Sequence, residues 1–222
     1  MRIFSCLAIQ GPLEQRILPS SEWFSSHEVF VDFDPTTVLL SRLREGDIPD
    51  ALFCLRPALD EPLVRQLFDW RSAFPIARSG LGLAVKAGHE HPPVASQEQF
   101  IVALTSARSV AYSRAGASGI YFTSLIERLG IATEVEATAT VLPKGLTATA
   151  LIDGRADLAV QQMSELRAVG GVELVGPFPP ELQQFSDVVG VARNESAAEA
   201  LRQALNTADA RGALEDFGLL PL

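Results

Sequence analysis

Short apolar runs alternate with amphipathic stretches along nearly the whole chain, and no other feature restricts its fold as strongly. A run of four to eight apolar residues bounded by turn formers reads as a strand covered on both faces. A stretch with apolar residues three and four apart reads as a helix packed on one side. Strands are expected at Ile3 to Ile9, Glu28 to Phe33, Ala51 to Leu55, Leu81 to Val85, Val110 to Tyr112 and Leu158 to Gln161. Helices are expected at Gly11 to Leu18, Thr36 to Arg44, Glu61 to Trp70, Ser118 to Leu129, Leu146 to Ile152, Ala197 to Leu205 and Asp209 to Phe217. In the Ser118 helix, Phe122, Leu125, Ile126 and Leu129 make one apolar face. Strand and helix in alternation imply parallel sheets flanked by helices, an α/β chain.

The pattern occurs once in each half. Thr36-Thr37 opens a helix that stops at Glu45-Gly46 and passes through Asp50 into Ala51-Leu52-Phe53. Thr147 lies early in a helix that stops at Asp153-Gly154 and passes through Asp157 into Leu158-Ala159-Val160. Each glycine suits the left-handed position after a helix end. The repetition predicts two similar α/β lobes. Their boundaries are expected at residues 1–81 plus 183–222 for the first and 82–182 for the second, with crossings at Arg78 to Leu83 and Gly176 to Ser186. Pro177, Pro179 and Pro180 hold the return crossing extended.

Charge and rare residues narrow the function. A formal net charge of −9 argues against nucleic acid, which is bound through a basic surface, yet leaves room for a local cationic site that takes a small anion. Cys6 and Cys54 sit inside apolar runs and read as buried, inert core thiols. His27, His89 and His91 lie in polar segments, and no cysteine or histidine spacing suits zinc, so no metal and no cofactor are expected. No apolar stretch approaches the roughly 20 residues of a membrane span. Ile3 to Ile9 reads as a strand, not as the apolar core of a leader, so the chain is expected in the cytoplasm if Met1 is its native start and in the periplasm if a leader has been trimmed.

In parallel sheets, ligands bind beyond the carboxyl ends of the strands, where helix amino-termini present unpaired N–H groups. Four such places stand out. Ala8-Ile9-Gln10-Gly11 follows the first strand. Asp34-Pro35-Thr36-Thr37 reads as a helix cap with two hydroxyls. Ser113-Arg114-Ala115-Gly116-Ala117-Ser118-Gly119 is a small-residue turn that opens a helix; it lacks the lysine and the spacing of a nucleotide-binding loop. Gln161-Gln162 brings two amides abruptly to the end of a buried strand, where buried amides need partners. Arg56, just past the third strand, and Arg78-Ser79, at the first crossing, are candidate cation and hydroxyl donors; Arg78 equally suits a solvated hinge.

In their order and spacing, these residues resemble the type 2 periplasmic-binding-protein family and, within it, the molybdate-binding branch. The resemblance runs through Gly11-Pro12-Leu13-Glu14, Leu43-Arg44-Glu45-Gly46 with Asp50-Ala51-Leu52-Phe53, and Ala117-Ser118-Gly119-Ile120-Tyr121. It continues in Gly154-Arg155-Ala156-Asp157-Leu158-Ala159-Val160 and Gly212-Ala213-Leu214-Glu215-Asp216-Phe217-Gly218. It implies two lobes that close over a small anion, held by hydroxyls and amides at helix starts. By position, the family's first serine falls on Ala8, its second on Thr36 or Thr37, its small residue before Gly-Ile-Tyr on Ser118 and its late tyrosine on Gln162. Ala8 and Gln162 depart from the molybdate set, which favours an organic carboxylate. The implied ligand set is Ala8, Gln10, Thr36, Thr37, Arg56, Arg78, Ser79, Ser118, Gly119 and Gln162. Gln-Gln at the last strand and Ala-Arg-Ser-Gly at the crossing also resemble the aconitate isomerases, enzymes that move a proton on a tricarboxylate with the same fold. That alternative needs a general base, for which Asp34 and Glu165 are the candidates. A sensing role without transport is a third reading; a transporter or signalling partner is not identified by the residues.

Overall fold

The computed structural model describes all residues, 1–222. Ten strands run through it: β1 (Arg2–Ser5), β2 (Phe30–Phe33), β3 (Ala51–Leu55), β4 (Phe74–Lys86), β5 (Val110–Ser113), β6 (Thr140–Leu142), β7 (Leu158–Gln162), β8 (Val172–Pro177), β9 (Phe185–Ala192) and β10 (Leu220–Pro221). Met1–Ser79 with Ser186–Leu222 form one compact unit, and Gly80–Phe185 form the other. The chain leaves the first unit within β4 and returns at the start of β9.

In the first unit β1 lies between β2 and β3, all parallel, and β9 runs antiparallel beside β3, with Phe53 opposite Gly190. Alternation along the strands divides the side chains between two cores. Ile3 and Phe53 face the helical stretch 10–20 and the carboxyl-terminal helices Glu195–Leu205 and Ala208–Asp216. Phe4, Leu52 and Val191 face Leu39, Leu43 and Val64. Each such side chain withdrawn from water contributes roughly 1.5–3 kcal/mol, which is why strands apolar on both faces settle inside a covered sheet. Gly190 is obligatory in that packing, because a Cβ there would come within 2.3 Å of the Phe74 ring.

The second unit repeats the arrangement. β5 lies between β6 and β7, all parallel, and the second half of β4 runs antiparallel beside β7, with β8 on its far side. Val110, Tyr112 and Val160 face Phe100 and Phe122 of the helices Gln97–Ser106 and Ala117–Arg128. Ala111 and Ala159 face Ala148, Leu151 and Leu166 on the other side.

Several expected elements shift. The helix expected over Glu61 to Trp70 is confined to Pro62–Leu67, because Phe68 turns extended to bury its ring beside Val64. The helix expected from Leu146 is a tighter turn that becomes helical only at Thr149–Ile152, its first bonds running from the Thr149 and Ala150 N–H groups to the carbonyls of Leu146 and Thr147, three residues back. The Gln97–Ser106 helix, β6, β8, β9 and β10 are additional to the elements expected, as are the short helices Glu22–Ser26, Ala132–Glu136 and Met163–Arg167. The strand expected at Leu81 to Val85 is the second half of the 13-residue β4, whose punctuation by Pro75, Gly80 and Gly82 hides its length in the sequence. Gly46 and Gly154 both take positive φ, at 88° and 71°, as the helix-stop reading requires. Cys6 and Cys54 are buried, and burial pushes the Cys54 thiol far above its ordinary range.

Candidate functional site

On the first unit, the carboxyl ends of β1, β2 and β3 bring Ala8, Gln10, Asp34, Thr36, Thr37 and Arg56 to one edge of the sheet. Ala8 is buried in a short turn, and the Gln10 amide is spent on Glu14, 2.9 Å away. The Thr36–Arg44 helix is entered through Pro35, with no side-chain cap. Thr36 serves the strand instead: its hydroxyl accepts from the Leu55 N–H at 3.2 Å and ties the helix start to the end of β3. Thr37 is exposed on the first turn. Asp34 lies 3.6 Å from the Arg42 guanidinium, so it is an ion-pair partner and not the cap of that helix.

The cations of this unit divide their work. Arg78 grips Asp187 with two prongs of 2.6 and 3.0 Å, and these hydrogen bonds hold the Asp187 carboxyl below its usual range. Arg78 is exposed, and its fork is occupied by Asp187. Arg56, exposed at the end of β3, forms no ion pair of its own, although its charge also depresses Asp187. Two arginines around one carboxylate leave a local positive excess on an acidic chain. Ser79 is buried.

On the second unit, β5 ends in the Ser113 to Gly116 turn, where the Gly116 N–H donates to the Ser113 hydroxyl at 3.3 Å. Gly116 caps the Ala117–Arg128 helix without a side chain, which leaves Ser118 in the first turn, almost fully buried. A Cβ on Gly119 would lie 1.6 Å from the Ser113 carbonyl oxygen, so only glycine lets the helix start sit this close to the strand end. The helix has 12 residues, enough for its unpaired amino-terminal N–H groups and dipole to favour an anion.

β7 ends in two amides with different fates. Gln161 accepts from the Thr147 N–H at 2.7 Å and lies 2.9 Å from the Thr147 hydroxyl, while its Nε2 donates to the Gly145 carbonyl at 2.9 Å. It pins the loop after β6. Gln162 is 3% exposed, yet its Oε1 has no hydrogen-bond partner. Glu165 turns inward. It lies three residues past Gln162, the cap position of the short Met163–Arg167 helix, and burial pushes its pKa up to about 8, opposed in part by the nearby Gln162 backbone N–H and Gln161 side chain.

A hollow of about 650 Å³ lies at the opposite end of β7, where Asp157 and Leu158 begin the strand, with Val85, Val102, His89 and Glu98 around it. Its apolar floor and acidic rim do not suit an anion. No group of three or more histidine, cysteine or acidic side chains could hold a metal, and no helix is long and apolar enough to cross a membrane. The sequence placed Gln162, Ser118 and Gly119 at strand ends. It gave no sign of the Gln161–Thr147–Gly145 network or of Asp187 as the partner of Arg78, because both join residues far apart in the chain.

The model of the bacterial extracellular solute-binding protein family matches residues 2–220. The chain belongs to that family. Among relatives of this solute-binding protein, an aconitate isomerase from a Pseudomonas species is 30% identical over 194 residues, which span 85% of this chain and 74% of the enzyme. Solved structures share the fold at low identity. The periplasmic molybdate-binding protein of Azotobacter vinelandii aligns with a TM-score of 0.72 and 17% identity over 99% of this chain and 98% of its own. PEB3 with bound L-phospholactate aligns at 0.68 and 12% identity, over 99% of each chain. This solute-binding protein accordingly has the two-lobed α/β fold of type 2 periplasmic binding proteins.

Proposed function

We propose that the chain binds a small organic carboxylate through groups at its strand ends. Ser118, Gly119 and Gln162 are the candidate contacts on the second unit, and Thr37 and Arg56 are those on the first. The observation that carries the reading is the pairing, on one strand-end surface, of a 12-residue helix amino-terminus with a buried amide that lacks a partner. Preference for a carboxylate over a tetrahedral oxyanion is supported by Ala8, which offers no hydroxyl where the molybdate pattern needs one, and by Arg56, whose planar fork matches a carboxylate. Thr36 supports β3, and Arg78 orders Asp187; in this reading both shape the surface. The family description places such proteins outside the cytoplasm, and we propose that this one meets its solute there.

Melting the protein with a panel of di- and tricarboxylates, molybdate, tungstate and sulfate tests this, since a ligand that binds only the folded state raises the midpoint. Carboxylates should give the largest shifts. Strong shifts with molybdate or tungstate and none with carboxylates would overturn the reading.

The kinship with an aconitate isomerase supports a second reading, proton transfer on a tricarboxylate. Asp34 and Glu165 are its candidate bases, and Glu165, with a pKa of about 8, is in the range for general acid–base work. Its carboxyl is, however, engaged by amides of its own strand end. Incubation with cis- or trans-aconitate, followed by nuclear magnetic resonance, would reveal interconversion; none at high enzyme concentration removes this reading and leaves binding.

A further inference from the structure

We infer that Gln162 is a specificity residue that reads a hydroxyl beside a carboxylate, so that the solute is a hydroxycarboxylate. The inference rests on the carboxylate-binding reading above and names the class of acid.

The placement follows from register. Ala111 of β5 pairs with Ala159 of β7, which sets Ser113 level with Gln161 and Gln162 one step beyond, at the height where the Ala117–Arg128 helix begins. Leu158 and Val160 face the core that contains Tyr112 and Phe122, and alternation turns Gln162 to the same side. Leu81, its partner on β4, belongs to that core as well. Gln162 thus stands on the face of β7 that meets the helix start, while Gln161 points to the other face and is fully engaged there.

An unpartnered acceptor in this position is unfavourable by itself, since a buried polar atom without a partner forfeits its hydration. Nothing holds the oxygen where it lies, and the terminal torsion of an amide is broad and roughly two-fold, so the group can turn to present Oε1 and Nε2 together. An amide offers an acceptor and a donor side by side. An α-hydroxycarboxylate offers a donor and an acceptor side by side, the complement. A plain dicarboxylate or a metal oxyanion brings acceptors only and leaves Oε1 unsatisfied. Sites that hydrogen-bond a hydroxyl discriminate against the analogue without it, because the protein group is then left without a partner.

The test is calorimetric titration of the full chain with two matched pairs, malate against succinate and citrate against tricarballylate, repeated on Gln162→Met. The hydroxyl-bearing member of a pair should bind the wild type about five- to tenfold more tightly. In Gln162→Met the members should bind within about twofold of each other, with the variant melting no lower than the wild type because an unsatisfied acceptor has been removed. A reduced melting point is met by comparing the ratio within each pair, which a general loss of affinity does not change. Equal binding of both members by the wild type, or discrimination that survives in Gln162→Met, overturns the role of Gln162 and leaves carboxylate binding standing. Failure of all four acids to bind, with a response to molybdate, overturns the carboxylate reading itself.

Discussion

Replacing Glu165 by glutamine should change how the stability of this protein depends on pH. The carboxyl is 7% exposed, and burial pushes its pKa from an ordinary 4.5 up to about 8, with backbone and Gln161 hydrogen bonds opposing that rise only in part. The folded chain therefore keeps this proton to about pH 8, while the unfolded chain releases it near 4.5. With the unfolded state binding fewer protons, stability falls as pH rises through that window. The contribution is complete below about 4.5 and gone above about 8. At about 1.36 kcal/mol per pH unit, the full window corresponds to roughly 5 kcal/mol, and the stretch from about pH 6 to 8 to roughly 2–3 kcal/mol. Glutamine keeps the size and can still accept from the Gln162 N–H, but it does not titrate. Denaturant melts of both proteins at several pH values should show the wild type losing about 2–3 kcal/mol relative to Glu165→Gln between about pH 6 and 8. Parallel stability curves over that range would refute the reasoning, since the carboxyl would then be titrating near its ordinary value.

Other substitutions separate binding from folding. Gly119→Ala should lower the melting point by several degrees and abolish anion binding together, as a Cβ 1.6 Å from the Ser113 carbonyl must push the helix start off the strand end; an unchanged melt would contradict that contact. Ser118→Ala and Thr37→Ala should each weaken carboxylate binding by about 1–2 kcal/mol while altering stability less, whereas purely structural hydroxyls would give the reverse, read by calorimetry beside melting. Arg56→Gln should weaken binding of the preferred carboxylate severalfold. Arg78→Lys should leave affinity nearly unchanged, because the Arg78 fork is occupied by Asp187; a large loss in Arg78→Lys would show that the solute displaces that carboxylate.

How far the sequence revealed this molecule depended on the range of the interactions concerned. Strands such as Ala51–Leu55 and the helix Thr36–Arg44 follow from local alternation and from Gly46, whose positive φ stops the helix, so they could be read residue by residue. The two-unit plan was visible because the same helix, glycine and strand order occurs twice. β8 escaped notice because its apolar residues are few and broken by Glu173 and Gly176, and it is fixed by pairing with β4 about ninety residues earlier. Thr36 looked like a cap and Thr147 like an early helix residue, yet both reach forward to the next strand, Thr36 to Leu55 and Thr147 to Gln161. Such latches depend on where the chain returns, and local pattern holds no record of that.

The interrupted path of the chain has a consequence for how it folds. Gly80–Phe185 is continuous, so its strands can assemble among themselves once residue 185 has emerged during synthesis. The other unit must wait: β3 has no neighbour on its outer side until β9 arrives, some 130 residues later, with Val188 to Ala192 completing its hydrogen bonds. During that interval an apolar strand, Ala51–Leu55, stands with one edge open, which is the condition under which chains pair with the wrong partner. Late closure of such a distant pair also makes this half the slower to form, because the loop must be closed before the contacts can repay it. Aggregation during expression should therefore originate in the discontinuous unit, with β3 as its seed.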